Sequence, residues 1–143
     1  MLLGEYKHSV DEKGRIAVPA KFRDAFAAGA IITRGLDRSL FIFSMVEWEA
    51  LAKKLVALPI AQGNSRAFAR LMLAGAMDVK PDQQGRILIP DYLREYAGIG
   101  RQVVLAGLVS RIEVWDADAW SAYKAKTESA SDEIAEQLGE LGI

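Results

Sequence analysis

Two arginines, Arg15 and Arg86, each follow a short loop whose sequence occurs twice in the chain. Each loop begins with an aspartate, and the pattern Asp-x-x-Gly-Arg-Ile-x-[Val/Ile]-Pro-x-x-x-Arg recurs at a constant offset of 71 residues. A guanidinium beside a two-stranded ribbon can donate two hydrogen bonds to guanine O6 and N7 in the major groove of DNA. Base recognition is therefore one chemistry that this pair of residues could perform.

The same spacing also permits a purely structural interpretation of the loops. An Asp side chain can bond the backbone two residues further on, and Gly accepts the positive φ that closes such a turn. The residues that fit this role are Asp11, Gly14, Asp82 and Gly85. The spacing favours loop capping for the aspartates, and it leaves the arginines open between base recognition and pairing with a carboxylate of the fold.

Further cations surround the first loop and could neutralise DNA phosphates. They are Lys7, Lys13, Lys21 and Arg23. The second loop carries Gln84 where the first has Lys13, so it has less phosphate-binding charge. Arg15 is therefore the foremost base-reading candidate, and Arg86 is its counterpart in the second copy.

The elements that position these side chains follow from the apolar pattern. Arg-Ile-Ala-Val and Arg-Ile-Leu-Ile alternate as strands do, and Pro19 and Pro90 then end each strand and can open a short helix. Each copy is predicted to run strand, strand, helix, strand, strand, helix. The predicted strands are 6–10, 15–18, 30–34, 40–43, 77–80, 86–89, 102–107 and 111–115, and the predicted helices begin near residues 20, 45, 91 and 120.

Composition and charge narrow the class of protein. The 143 residues contain no cysteine and one histidine, so disulfides, thiolate catalysis and zinc–thiolate sites are excluded. The net charge is −1, but residues 116–143 carry seven acids and two lysines, which leaves a net +4 on residues 1–115. No apolar run approaches the length of a membrane span, and no export signal is evident, so we expect a soluble, cytoplasmic protein without a membrane partner.

Two other classes of function are weighed against DNA binding. An enzyme would need paired carboxylates or a metal site, but turn chemistry already explains the acids, and we expect no catalytic residue, metal or cofactor. The alternative is an antitoxin-like or other protein-binding module that acts through the acidic C-terminal segment. Trp120 and Tyr123 make that segment richer in aromatics than a disordered binding tail.

The doubled loop resembles the signature of the MraZ family of bacterial transcriptional regulators, which have Asp-x-x-x-Arg in each half. The matching residues here are Asp11 with Arg15 and Asp82 with Arg86. Gly4, the run from Lys13 to Arg23, and the equivalent tryptophans Trp48 and Trp120 extend the resemblance over nearly the whole chain.

The resemblance implies an α+β fold of two tandem swapped-hairpin modules of the SpoVT-AbrB type, related by pseudo-twofold symmetry, with connecting and C-terminal helices. The expected divisions are a first module at 5–47, connecting helices at 48–75, a second module at 76–119 and an acidic C-terminal helix at 120–143.

The resemblance also implies a function and partners. Members of this family bind short tandem promoter repeats in double-stranded DNA through the arginine-bearing loops, and they generally repress their own cell-division and cell-wall operon. They assemble into ring-shaped homo-oligomers. This chain is therefore expected to be a nucleoid-associated repressor with no cofactor, and Arg15, Lys13, Arg86, Lys7, Lys21 and Arg23 are its expected DNA contacts.

Overall fold

Antiparallel strands build the framework of the computed structural model, which describes residues 1–142. Six of the strands form one sheet and two form a second, smaller sheet. The strands are β1 Leu2–Ser9, β2 Arg15–Ala17, β3 Ala30–Arg34, β4 Leu40–Ser44, β5 Met77–Val79, β6 Arg86–Leu88, β7 Gln102–Val109 and β8 Ile112–Asp116. Each predicted strand is present, and the ends differ by up to four residues.

Helices connect and cover the sheets. They are α1 Met45–Val56, α2 Gly63–Ala69, α3 Asp91–Ala97, α4 Ala117–Ser129 and α5 Ser131–Gln137. A π-helical turn, Arg70–Ala74, continues α2, and 3-10 turns lie at Ala20–Phe26 and Gly139–Leu141. None of the helices within residues 1–142 combines the length and the apolar character that crossing a bilayer requires.

Side-chain caps set two helix starts. Ser44 accepts a hydrogen bond from the Glu47 N–H at 3.3 Å, which satisfies one of the free amides in the first turn of α1. Asp116 caps α4 in the same way by accepting from the Ala119 N–H. This helix therefore begins at Ala117, earlier than the start near residue 120 that the sequence predicted. The last helical segment is broken at Ala130, whose φ of −112° leaves the helical range and separates α4 from α5.

The order of the large sheet, β1-β7-β8-β4-β3-β5, interleaves the two copies of the repeat. The first strand of each copy pairs with the third strand of the other, since β1 lies beside β7 and β5 lies beside β3. The small sheet also joins the copies, because β2 pairs with β6 around Ile16 and Ile87. The swapped-hairpin arrangement with pseudo-twofold symmetry is therefore confirmed.

The main core fills the space between the two sheets. Ile16 and Ile87, from the small sheet, are at most 1% exposed and lie in one apolar cluster with Phe22, Phe26 and Leu105. The alternation in Arg-Ile-x-[Val/Ile] explains this placement, because the apolar residues face inward and the arginine and its i+2 neighbour face outward. Burial of the isoleucines therefore fixes which way both arginines point.

A second apolar cluster lies on the other face of the large sheet. Phe41 and Phe43 of β4 pack there against Leu55 of α1 and Met72 of the π-helical turn. Buried Thr33 donates a hydrogen bond of 2.6 Å to the carbonyl of Met72, which caps a helix-end carbonyl that has lost its helical partner. The connecting helices are thereby fixed on the sheet rather than forming a loose tether.

One glycine lies where the backbones of the two copies come close together. Gly107 of β7 lies opposite Gly4 of β1. A Cβ at Gly107 would come within 2.6 Å of the Leu3 nitrogen and 2.7 Å of the Leu2 carbonyl carbon, both of them backbone atoms. The pairing of β1 with β7 therefore requires a residue without a side chain at this position.

Candidate nucleic-acid interface

The first loop is closed by the side chain of Asp11. Its Oδ1 accepts hydrogen bonds from the backbone N–H groups of Lys13 at 3.0 Å and Arg15 at 2.9 Å. The Asp11 N–H donates in turn to the Arg15 carbonyl at 2.9 Å, and Gly14 has φ +83°. Residues with a Cβ rarely adopt that conformation, so the Asp-x-x-Gly spacing is explained by the turn that it forms.

The second loop repeats this geometry almost bond for bond. Oδ1 of Asp82 accepts from the N–H groups of Gln84 and Arg86, both at 2.9 Å, and Gly85 has φ +75°. Lys13 and Gln84 each bond the loop aspartate through the backbone N–H and not through the side chain. The difference between these two residues therefore changes the charge of the loop and not its shape.

The two loops lie side by side as one structure. Beyond the paired residues of β2 and β6, the Val18 N–H donates to the Gly85 carbonyl at 2.9 Å, and the Ile89 N–H donates to the Gly14 carbonyl at 2.8 Å. Each copy thus completes the hydrogen bonding of the other copy's loop. We call this unit, residues 11–15 with residues 82–86, the double loop.

Four charges meet on the outer face of the double loop. Nε of Arg15 lies 2.8 Å from Asp11 Oδ2, and Nε of Arg86 lies 3.0 Å from Asp82 Oδ2. The terminal nitrogens reach across the copies, with 3.8 Å from Arg15 Nη1 to Asp82 Oδ2 and 3.7 Å from Arg86 Nη1 to Asp11 Oδ2. These side chains are between 27% and 35% exposed, so the cluster is accessible to a ligand.

Both carboxyl groups of this cluster have a pKa below the ordinary aspartate value of 3.8. The main cause is the backbone N–H of Arg15 for Asp11 and that of Arg86 for Asp82, and the guanidinium groups lower the pKa further. A lowered folded pKa means that each carboxylate stabilises the fold fully above pH 3.8. That contribution is lost as the pH falls below 3.8 toward the folded pKa.

Replacing both aspartates by asparagine should therefore flatten the acid end of the stability profile. We expect the Asp11→Asn, Asp82→Asn variant to lose less thermal stability than the wild type as the pH is lowered through 3.8, because an amide has no proton to gain. Thermal unfolding followed by circular dichroism from neutral to strongly acidic pH measures this. Parallel profiles for the two proteins would contradict the assignment.

Arginines of the short helices reach the loop of the opposite copy. The Arg23 side chain covers Gly85, and the Arg94 side chain covers Gly14. Arg23 Nε also donates to the Val18 carbonyl at 3.3 Å, whereas Arg94 pairs with Asp91. Each helix arginine thus packs against the backbone of the loop beside the four charges.

The remaining predicted cations differ in their placement. Lys13 lies exposed in the first loop, and the Lys21 ammonium lies 5.5 Å from the ring centroids of Tyr6 and Phe22. Lys7 lies on the face of β1 that packs against α4, where it lines a cavity with Trp120 and others. The structure therefore brings Lys13 and Arg23 close to the double loop and does not bring Lys7 there.

Sequence reasoning overlooked two features of this surface. The cross-copy contacts between arginines and aspartates join positions that are far apart in sequence, and only the pairing of β2 with β6 reveals them. Leu88 was also missed, although it lies opposite Arg15 in the strand register and is 48% exposed. Its position two residues after Arg86 is the signal that could have placed it on the outer face.

Of residues 1–142, no group of three or more His, Asp or Glu side chains is arranged so as to hold a metal ion. The described residues instead form an α+β protein of two fused swapped-hairpin modules, which share one double loop with paired arginines and aspartates. Comparison of the sequence with known protein families identifies the family to which it belongs. The family model described as "MraZ protein, putative antitoxin-like" matches residues 1–71 and again residues 72–140. The chain belongs to the MraZ family.

Relatives of known name agree with this assignment over their full length. The chain is 48% identical to a protein of Halothermothrix orenii and 47% identical to one of Acetivibrio thermocellus, and each alignment covers 100% of both proteins. Both are named transcriptional regulator MraZ. Among solved structures, the solution structure of PHS018 from Pyrococcus horikoshii aligns at 18% identity with a TM-score of 0.34 over 80% of this chain and 88% of that one.

Proposed function

We propose that this protein is a sequence-specific DNA-binding transcriptional regulator that represses its own cell-division and cell-wall operon. The observation that carries the proposal is the double loop, which presents Arg15 and Arg86 together on one accessible face. The names of the full-length relatives support the regulatory part.

The geometry of the arginines suits recognition of bases. In both, Nε is occupied by the aspartate of the same loop, and the terminal nitrogens form the outward end of the guanidinium. That end can donate to guanine O6 and N7 together, and half-exposed Leu88 could contact a thymine methyl beside it. In this proposal Arg15 and Arg86 read bases, and Asp11, Gly14, Asp82 and Gly85 maintain the loops.

Cations around the double loop would anchor the DNA backbone. We assign this role to Lys13, Lys21 and Arg23, and also to Lys7 away from the double loop, in keeping with the net +4 of residues 1–115. Lys7 has the weakest support, because it lies on the α4 side of the large sheet. The excess negative charge of the chain lies in the acidic segment that forms α4 and α5. This segment contacts the rest of the protein through Trp120, whose Nε1 donates a hydrogen bond to Glu5.

One double loop offers few base contacts, so tight binding requires several of them. We propose that the chain assembles into a ring-shaped homo-oligomer whose double loops engage spaced promoter repeats. Linking sites in this way raises overall affinity by about 10²–10⁴-fold over a single contact when the geometry permits simultaneous binding.

This proposal is tested with duplexes from the region upstream of the protein's own gene. We expect the full region to bind at least about tenfold more tightly than fragments carrying one repeat, with an affinity that falls steeply as salt rises, because counterions are released from phosphates. Mobility shift across a salt series, with a shuffled duplex of equal composition, measures both effects.

Two outcomes of that experiment would argue against the proposal. Equal binding of single and tandem repeats would contradict the multivalent mechanism. Equal binding of the upstream and shuffled duplexes would contradict sequence-specific regulation and favour the protein-binding alternative. That alternative has one observation in its favour, since the acidic C-terminal segment leaves Ile134, Leu138 and Leu141 exposed.

A further inference from the structure

Each aspartate of the double loop contacts the arginines of both copies. Asp11 Oδ2 lies 2.8 Å from Arg15 Nε and 3.7 Å from Arg86 Nη1. Asp82 Oδ2 lies 3.0 Å from Arg86 Nε and 3.8 Å from Arg15 Nη1. The four groups form a closed arrangement with no net charge, in which neither arginine can be moved without affecting both carboxylates.

The carboxylates leave the reading end of each guanidinium open. Among residues 1–142, the hydrogen bonds that the side chains of Arg15 and Arg86 donate run from Nε alone, in each case to the aspartate of the same loop. The cross-copy distances of 3.7 Å and 3.8 Å are too long for hydrogen bonds. Both terminal nitrogens therefore keep their donors for a ligand. Each guanidinium plane is held by a hydrogen bond to the aspartate of its own loop and by the negative charge of the aspartate in the opposite copy.

We propose that Asp11 and Asp82 are specificity-determining positioning residues, which hold Arg15 and Arg86 as a single reading head for guanine-containing steps of double-stranded DNA. The inference rests on the proposed function, and it adds that the two copies read DNA as one unit rather than as two independent loops.

Physical reasons connect this geometry to selectivity. A free arginine side chain has many rotamers, and a guanidinium that is already fixed loses less freedom when it binds. A carboxylate beside it also weakens attraction to any phosphate while leaving the directional bonds to a base edge intact. The aspartates therefore lower affinity for unrelated DNA and raise the preference for the correct sequence.

Isosteric variants separate this role from loop capping. In Asp11→Asn and Asp82→Asn the amide oxygen can still accept the two backbone N–H groups that Oδ1 bonds now, while the charge facing the arginines is removed. Glu12→Gln is the matched control, because it removes one negative charge from the same loop at an exposed side chain outside the four-charge cluster. Fluorescence anisotropy gives the dissociation constants for the upstream duplex and for a shuffled duplex of equal composition.

The ratio of the two dissociation constants is the deciding quantity. We expect each Asn variant to bind the shuffled duplex more tightly and to lose about tenfold in preference for the upstream duplex. Glu12→Gln should tighten both duplexes alike and leave the preference unchanged. The two Asn variants should lose similar amounts, since each aspartate touches both arginines.

A cross-copy experiment tests the single reading head. In an Arg86→Ala background, Asp82 can act only through Arg15, so Asp82→Asn should still lower the preference several-fold there. No further loss in that background would overturn the single-unit inference.

Three further outcomes are distinguishable. If the Asn variants tighten both duplexes equally, the aspartates only weaken attraction to DNA, and the inference is wrong. If the wild type itself shows no preference, the proposed regulatory function fails first. Should thermal unfolding show that Asp82→Asn is not folded, Asp82→Ser replaces it, because a serine hydroxyl also caps such turns but carries no charge, and the same ratio then decides.

Discussion

Arg15→Ala abolishes the preference of this protein for its own upstream duplex while the chain stays folded: this is the largest functional effect that we expect. One bidentate contact to guanine is worth about 1–3 kcal/mol of discrimination, or about 5–150-fold per double loop. Because several double loops act together in the proposed oligomer, the loss is multiplied and should exceed the range of a mobility-shift titration.

The fold should survive this substitution because Arg15 contributes little to the core. Its side chain is 27% exposed, and its partners lie on the outer face of the double loop, where water can replace them. The inward-facing Ile16 remains in place and keeps β2 paired with β6. Size-exclusion chromatography and circular dichroism should therefore match the wild type.

Two companion variants complete the experiment. Arg86→Ala should weaken binding less, because its loop lacks the cation that Lys13 supplies in the first copy. Arg66→Ala is the matched control: it removes an arginine from α2, where its Nη1 donates to the Ile60 carbonyl at 3.0 Å, and should leave DNA binding unchanged. Unfolding or disassembly of Arg15→Ala would instead assign Arg15 to the structure.

Gly107→Ala is expected to have the largest effect on stability. The new Cβ would meet the backbone of Leu2 and Leu3 at 2.7 Å and 2.6 Å, and a backbone cannot rotate aside as a side chain can. The end of β1 must move away from β7, which strains eight paired positions and exposes buried Leu2. Overpacking of this kind costs about 1–3 kcal/mol or more.

The change should appear as a lowered thermal midpoint, by roughly 5–10 °C for a chain of this length. Gly139→Ala is the control, since a Cβ there would have nothing within 4 Å. Its free energy of unfolding should stay within about 0.5 kcal/mol of the wild-type value. A Gly107→Ala protein as stable as the control would mean that β1 does not lie against β7 at this distance.

Much of the fold could be predicted because the chain repeats itself. The Asp-x-x-Gly turns, the strands that start at Arg15 and Arg86, and the helix that Ser44 caps all follow from local patterns, and the structure has each of them. The swapped pairing of the copies came from the family resemblance and is confirmed by the strand order. Local pattern alone could not supply it, since no periodicity within β1 indicates which strand lies beside it.

The site was predictable in its residues but not in its contacts. The sequence leaves each arginine open between a base and a carboxylate, and the structure places both beside carboxylates of the two copies. Their role in DNA recognition stays a prediction. Lys7 lies near the first loop in sequence, yet strand alternation places it on the opposite face of the sheet from Tyr6, which packs on the core. Its contact with DNA likewise stays a prediction.

The exchange of strands between the two copies also bears on how the molecule can change over time. A pseudo-symmetric pair within one polypeptide behaves as a dimer whose halves can never dissociate, so its integrity does not depend on protein concentration. In a true homodimer every substitution appears twice, whereas here each half can be altered alone. The loops already use that freedom, with Lys13 in one and Gln84 in the other on the same backbone turn. A covalently joined pair can thus acquire an asymmetric contact surface without giving up a symmetric scaffold.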